Sequence, residues 1–293
     1  MNKILTDFDG VLLRTEFAKA AEWFIASLRI QGRISENFIK ELEEKRQDAL
    51  VRVKELCNQY QEEFERVTNL AGMSRKDTRD AVWKLTCYND GDDYTAKDLE
   101  RIRGSIKSPI EGCYSERIEG NIRFFQKAKQ GGLELGLITQ AKKEEIKLLS
   151  GEQGLSLNDL FRRLECTGDN FYKEMGKKDD PYAMYVDKKV VGYGCLCSSL
   201  CVNPWETITF EDSESGISAA NSAGVVCVGV KDKHNKQNLS KSVLVVPCDL
   251  DVLTNNEAMS VLRNESPKEF ILYANDYLRR TGLQPELRED YKK

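Results

Sequence analysis

Two aspartates spaced two apart, Asp7 and Asp9, follow the apolar residues Ile4 and Leu5 and precede Gly10 and Val11. In a strand, residues i and i+2 point to the same side. At the strand's end both carboxylates would therefore overlook one site. That suits a nucleophilic carboxylate with an acid/base partner, and a divalent cation to screen their charges. Aspartate followed by glycine is also the composition of a turn, so the pair gains meaning only from the rest of the chain.

Other positions supply what phosphoryl transfer needs beyond a nucleophile, namely charge neutralisation and in-line positioning. Thr139 offers a hydroxyl donor, and a lysine can neutralise developing charge. Lys177 and Lys178, in the Gly176–Pro181 segment, are the candidates, with Lys173 farther off. Glu211 and Asp212 are hard oxygen ligands. With Asp7 and the backbone carbonyl of Asp9 they suit octahedral Mg²⁺. Each has a plainer reading: Thr139 as a helix cap ahead of Ala141, the lysines as surface charge, Glu211-Asp212-Ser213 as a strand-to-helix cap.

Histidine chemistry is nearly excluded, because His234 is the one histidine and lies in a lysine-rich stretch that reads as a solvated loop. The nine cysteines are an odd number, scattered, and read as reduced thiols. Cys195, Cys197 and Cys201 are close enough in sequence for a zinc site but show no evident fourth ligand. Small apolar thiols at a loop or helix end are the simpler reading.

Strand ends must place these residues. Strand patterns cover Leu133–Ile138, Leu164–Thr167, Thr207–Phe210, Val225–Val230 and Val243–Val246, with helical patterns over 119–130, 141–149 and 215–223 between them. Alternation of this kind predicts an α/β fold with a parallel sheet. Ligands in such sheets sit beyond the carboxyl ends of the strands, where Asp7, Asp9, Thr139 and Asp212 fall. Residues 14–108 instead read as all-helical, with patterns over 16–30, 36–70, 75–85 behind Ser74, and 96–106 behind Thr95. In the 36–70 stretch, Leu42, Leu50, Val53, Leu56, Phe64 and Val67 line one face, and no glycine or proline interrupts it. The 266–293 tail reads as a helix with a frayed end.

The chain of 293 residues is 40% hydrophobic and 31% charged, with a formal net charge of -4. That balance fits a globular protein and favours neither nucleic acid nor an anionic membrane as partner. No apolar run approaches the roughly 20 residues of a membrane span. The aspartate pair leaves no room for a signal peptide ahead of it, which predicts a cytoplasmic protein.

With these residues in order, the chain resembles the haloacid-dehalogenase-like hydrolase superfamily, in its beta-phosphoglucomutase-like and phosphatase branch. Asp7-Phe8-Asp9-Gly10-Val11 is similar to the first family motif and Leu137-Ile138-Thr139 to the second. Thr167-Gly168-Asp169 followed by Lys178-Asp179-Asp180-Pro181 is similar to the third, and Phe210 to Gly216 to the fourth. The resemblance covers residues 1–16 and about 118–255. It implies a Rossmann-like catalytic core over 1–13 and 109–293, with an inserted helical cap domain over 14–108. It also implies Mg²⁺-dependent hydrolysis of a small phosphorylated substrate through an aspartyl-phosphate. Asp7, Asp9, Thr139 and Lys178 are then catalytic; Gly10, Thr139, Gln140 and Lys178 bind substrate; Asp7, Asp9, Glu211 and Asp212 hold metal. The cap would close over the site about hinges near 12–15 and 107–112, and set specificity. Arg14, Lys19 and the basic residues around Arg75 are possible contacts for a second anionic group, or plain surface.

Departures from the pattern are Gln140 after the motif-two threonine, the doubled lysine, and a stretch from Pro181 to Glu211 about ten residues longer than expected, which contains the cysteine cluster. The family's sugar-phosphate mutases carry a histidine shortly after the first motif; the segment from Arg14 to Lys19 has none. Hydrolysis is thus favoured, with a mutase or a catalytically silent binding protein as alternatives.

Overall fold

The computed structural model describes residues 3–70, 75–87, 94–141, 143–167, 187–231, 237–247 and 249–291. It divides the chain into two compact units, Thr15–Glu116 and the pair of segments Met1–Arg14 and Arg117–Lys293. The boundary expected at residue 108 falls inside a helix that runs on to Tyr114.

The Thr15–Glu116 unit is helical, with α1 (Glu16–Ile30), α2 (Glu36–Glu43), α3 (Gln47–Gln59), α4 (Gln61–Thr68), α5 (Arg75–Val82) and α6 (Ala96–Tyr114). Alanines at 18, 20, 21 and 26 give α1 strong helix propensity and a thin profile. It is buried nearly all round and packs chiefly on α6. Thr95 and Asp98 form the capping box that starts α6. Its apolar face continues past Ile106 to Ile110, which carries the helix through Pro109 beyond the expected end.

The single helix expected over 36–70 is three. The chain turns at Lys45, with φ 56°, and at Tyr60. A straight rod of that length would span about 50 Å. Broken, it brings Leu42, Leu50, Val53, Leu56 and Val67 into one core with α1.

The other unit is α/β. Among the described residues its sheet has seven strands in the order β5-β4-β1-β6-β7-β8-β9. They are β1 (Lys3–Thr6), β4 (Glu134–Thr139), β5 (Arg163–Cys166), β6 (Ile208–Glu211), β7 (Val226–Val230), β8 (Leu244–Val246) and β9 (Glu286–Leu287). All pair in parallel except β9, which runs antiparallel on β8. β2 (Leu13–Arg14) and β3 (Glu116–Arg117) form a separate two-stranded sheet.

Both faces of the large sheet are covered, as a parallel sheet requires. Ile4, Phe8, Leu137, Ile208, Phe210, Val228 and Leu244 point into one core. It is shared with α7 (Glu119–Gln130), α12 (Asn256–Asn264) and α13 (Pro267–Arg280). Leu5, Ile138, Cys227 and Val245, one residue out of phase, point into the other, formed with α10 (Lys188–Ser199) and α11 (Glu214–Ser222). Two further helices, α8 (Lys143–Glu152) and α9 (Leu157–Leu160), lie between β4 and β5 in the chain. The tail beyond α13 is thus not simply frayed, since β9 docks on the sheet edge. No helix among the described residues is long and apolar enough to cross a membrane.

Candidate active site at the strand ends

β1 ends one residue before Asp7, whose amide donates to the Phe210 carbonyl at 3.0 Å and so ties the end of β1 to β6. Leu5 and Asp7 share a face, which turns the Asp7 side chain to the α10 side of the sheet, while Phe8 plugs the opposite core. Asp7 Oδ1 accepts from the Phe8 amide at 2.8 Å. The chain then folds back sharply. Gly10 has φ 70°, its amide donates to the Leu13 carbonyl at 2.7 Å, and Asp9 bridges Leu13. Gly10 also backs directly onto Asp212, where a Cβ would lie 1.8 Å from Oδ2. Only glycine satisfies both demands.

At the end of β6, Glu211 and Asp212 come beside Asp7. One carboxylate oxygen from each of Asp7, Glu211 and Asp212 lies within 4.8 Å of the others. Glu211 is fully buried and Asp212 is 9% exposed. Ser213 follows as the cap of α11, its Oγ accepting from the Gly216 amide at 3.1 Å. The cap reading of this stretch therefore holds alongside the ligand reading.

A buried ammonium completes the group. Lys189 Nζ, on the first turn of α10, lies 2.7 Å from Asp7 Oδ2 and 2.9 Å from Glu211 Oε1. Burial by itself lowers a lysine's pKa, but here the Asp7 and Glu211 carboxylates outweigh it and hold the ammonium charged. Burial, with Asp7 close by, raises the Glu211 carboxyl above its usual range, and Lys189 opposes the rise. Even with a proton on Glu211, the Asp7 and Asp212 carboxylates against one ammonium leave an excess of negative charge in a nearly closed space. That excess, presented as hard oxygen donors, fits a divalent cation such as Mg²⁺.

Thr139 closes β4, beside β1. Its Oγ1 accepts from the Ala141 amide at 3.1 Å, and its carbonyl accepts from the amide and hydroxyl of Thr167 at 2.8 and 3.1 Å. The turn-capping reading of Thr139 is realised, and the hydroxyl is fixed at the carboxyl edge of the sheet. Gln140 follows it, exposed.

Asp7, Glu211 and Asp212 are thus brought together, with Thr139 on the adjoining strand end and Asp9 and Gly10 in the turn that follows β1. Lys177, Lys178, Lys173, Gly168, Asp169, Ser74 and His234 lie outside the described residues. Lys189 is the residue sequence reasoning missed. It stands 22 residues before Glu211, so counting from it shortens the surplus length noted above. That surplus was the available signal. Cys195, Cys197 and Cys201 lie on α10 or just beyond it. Burial pushes the Cys197 thiol up to about 11, which leaves it inert. Among the described residues, the group of candidate metal ligands contains none of them.

No family model matches the chain. It is similar to the validoxylamine A 7'-phosphate phosphatase of Streptomyces hygroscopicus subsp. limoneus, with 29% identity over 126 residues, 43% of this chain and 52% of that protein. The chain thus spans about half the length of the curated relative it matches. A HAD family hydrolase from Deinococcus radiodurans, solved with bound phosphate and sodium, superposes with a TM-score of 0.55 at 14% identity, over 94% of this chain and 96% of that one. CbbY from Rhodobacter sphaeroides, in complex with xylulose-1,5-bisphosphate, gives 0.54 at 16%, over 86% and 96%. The beta-phosphoglucomutase of Clostridium difficile gives 0.51 at 18%, over 94% and 99%. The expected fold class is borne out: a mostly parallel sheet with flanking helices, as in the Rossmann-like fold of these hydrolases, and a separate helical unit.

Proposed function

We propose that this chain, whose fold is that of the haloacid-dehalogenase-like hydrolases, is a Mg²⁺-dependent phosphatase acting on a small phosphorylated metabolite. The observation that carries the reading is the buried cluster of Asp7, Lys189, Glu211 and Asp212 at the carboxyl ends of β1 and β6. A structural ion pair in a core needs no third and fourth charge beside it, least of all at the carboxyl edge of a parallel sheet.

In this reading the Asp7 carboxylate attacks phosphorus, and the bond from phosphorus to the leaving oxygen breaks as the aspartyl-phosphate forms. Asp9 gives that oxygen its proton. Asp9 then takes a proton from water as the water oxygen attacks the aspartyl-phosphate, which releases phosphate and restores Asp7. Lys189 holds Asp7 in place and neutralises charge on the transferring group. Thr139 donates its hydroxyl to that group. Gly10 and Gln140, in the turns that follow β1 and β4, are the proposed further contacts to the substrate. Asp7, the Asp9 backbone carbonyl and Asp212 would hold Mg²⁺, with Glu211 behind them. When bound, the cation screens the phosphoryl oxygens from the carboxylates. Lys178 keeps its sequence-based claim to the neutralising role, and Lys189 has the geometric one. The cytoplasm is the proposed setting, a reducing compartment that suits free thiols such as Cys57, Cys197 and Cys227.

The test is hydrolysis of an aryl phosphate with and without Mg²⁺, by wild type and Asp7→Asn. Turnover that needs Mg²⁺ and disappears in Asp7→Asn supports the reading and justifies a phosphometabolite screen that includes validoxylamine A 7'-phosphate. Turnover that survives in Asp7→Asn, or an inert wild type across that screen, removes it.

A further inference from the structure

Tyr193 is among the largest side chains shut off from solvent in this chain. Phenylalanine would fill the same volume without burying a hydroxyl, so the hydroxyl needs its own explanation. Tyr193 stands four residues after Lys189 on α10, so the two share a helix face. Thr209 and Glu211 stand two apart on β6 and share a sheet face. These two faces meet. The Tyr193 hydroxyl donates to Glu211 Oε1 and lies 3.2 Å from Thr209 Oγ1. A phenol has one proton. With that proton on Glu211, the Thr209 hydroxyl donates to the phenol oxygen.

Glu211 is consequently held on several sides. Oε1 accepts from Tyr193 and lies 2.9 Å from the Lys189 ammonium, and Oε2 accepts the Lys189 hydrogen bond at 3.2 Å. The Gly216 backbone closes over Oε2, where a Cβ would lie 2.0 Å away. The orientation of this carboxylate decides where Lys189 sits, because the ammonium is divided between Glu211 and Asp7 Oδ2.

We propose that Tyr193 is a positioning residue for the strand-end site. Its hydroxyl, backed by Thr209, occupies Glu211 Oε1 and so moderates that carboxylate's pull on Lys189, which leaves the ammonium bonded to Asp7. The series Thr209, Tyr193, Glu211, Lys189, Asp7 thereby orients the Asp7 carboxylate at the strand end from a hydroxyl buried behind it. The consequence for turnover rests on the phosphatase reading; the consequence for geometry does not.

Tyr193→Phe keeps the ring and removes the hydroxyl. In a crystal structure of the full-length variant, Lys189 Nζ is expected to move toward Glu211 and beyond about 3.5 Å from Asp7 Oδ2, past hydrogen-bond reach. On an aryl phosphate, kcat is expected to fall about tenfold, the scale of one hydrogen bond to a charged group, while KM stays within about twofold. A merely structural tyrosine would instead lower the unfolding midpoint of the metal-free protein and leave kcat alone. Should Tyr193→Phe not fold, Thr209→Val removes the donor behind the phenol and carries the same two readouts, with a smaller fall expected. Lys189 unmoved in the variant overturns the proposal, as does an unchanged kcat in an active enzyme. If wild type itself shows no turnover, the phosphatase reading has failed, and the Lys189 position alone decides.

Discussion

Lys189 Nζ stands 2.7 Å from Asp7 Oδ2, and both side chains are almost closed to solvent. Removing one partner of a buried ion pair leaves the other charge uncompensated, at a cost of about 3–5 kcal/mol. Lys189→Met is expected to lose stability on that scale in urea denaturation, and turnover of an aryl phosphate by about a hundredfold or more. Because the variant leaves Asp7, Glu211 and Asp212 facing one another, Mg²⁺ should raise its unfolding midpoint more than that of wild type. Lys178→Met serves as the comparison. A loss of turnover there equal to that in Lys189→Met would return the neutralising role to Lys178.

Gly10→Ala tests the other contact that shapes the site. The added methyl would occupy space now held by Asp212 Oδ2, at a backbone φ of 70° that alanine adopts only with strain. Backbone strain alone costs about 1–2 kcal/mol. Displacing Asp212 should in addition shrink the rise in unfolding midpoint produced by Mg²⁺ and cut turnover about tenfold or more. A variant that loses stability but keeps the wild-type response to Mg²⁺ would show that Asp212 is not a ligand.

The strand ends are legible in the sequence because a buried parallel strand is a short, mainly apolar run and its end is marked by the return of polar residues. Asp7, Thr139, Glu211 and Asp212 all carry that mark. Lys189 does not. Its ammonium reaches the site from the first turn of a helix, where a lysine after Asp187 reads as ordinary surface charge, while Lys177 and Lys178 lie next to a more suggestive Asp-Asp-Pro. Tyr193 is invisible for a related reason: an aromatic at helical spacing reads as core, and nothing local shows that its hydroxyl faces Glu211. The breaks at Lys45 and Tyr60 have no glycine or proline to announce them, because packing around α1 sets them. β9 is two residues long and is defined by its partner β8 alone.

Asn121 joins two distant segments of the α/β unit. Its Nδ2 donates to the Val11 carbonyl at 2.7 Å, and its Oδ1 accepts from the Leu250 amide at 2.6 Å. The turn that carries Asp9 and Gly10 is thereby anchored to the 249–253 segment through α7. Leucine has nearly the same volume but leaves both backbone groups buried and unbonded, at about 1–3 kcal/mol each. Asn121→Leu is therefore expected to lower the urea unfolding free energy by roughly 2–4 kcal/mol. A loss below about 1 kcal/mol would mean that water or a rearranged turn replaces both bonds.

In the helical unit, Glu22 is wholly buried on α1 and faces Arg103, Lys107 and Glu111 of α6, with Arg103 Nη2 at 2.6 Å. Burial is the largest influence and lifts the Glu22 carboxyl well above its usual 4.5; Arg103 and Lys107 pull it down, and Glu111 pushes it up. A carboxyl whose folded pKa is raised binds a proton in the folded state that the unfolded chain has already released. Its contribution to stability is greatest below the unfolded value and declines as pH rises above it. Unfolding free energy is thus expected to fall between about pH 5 and 7, with up to about 1.4 kcal/mol per pH unit from this one group. Glu22→Gln keeps the shape, cannot titrate, and should flatten that slope in urea unfolding followed by tryptophan fluorescence. Parallel slopes in the two proteins would mean that Arg103 and Lys107 outweigh burial, and that Glu22 is ionised throughout this range.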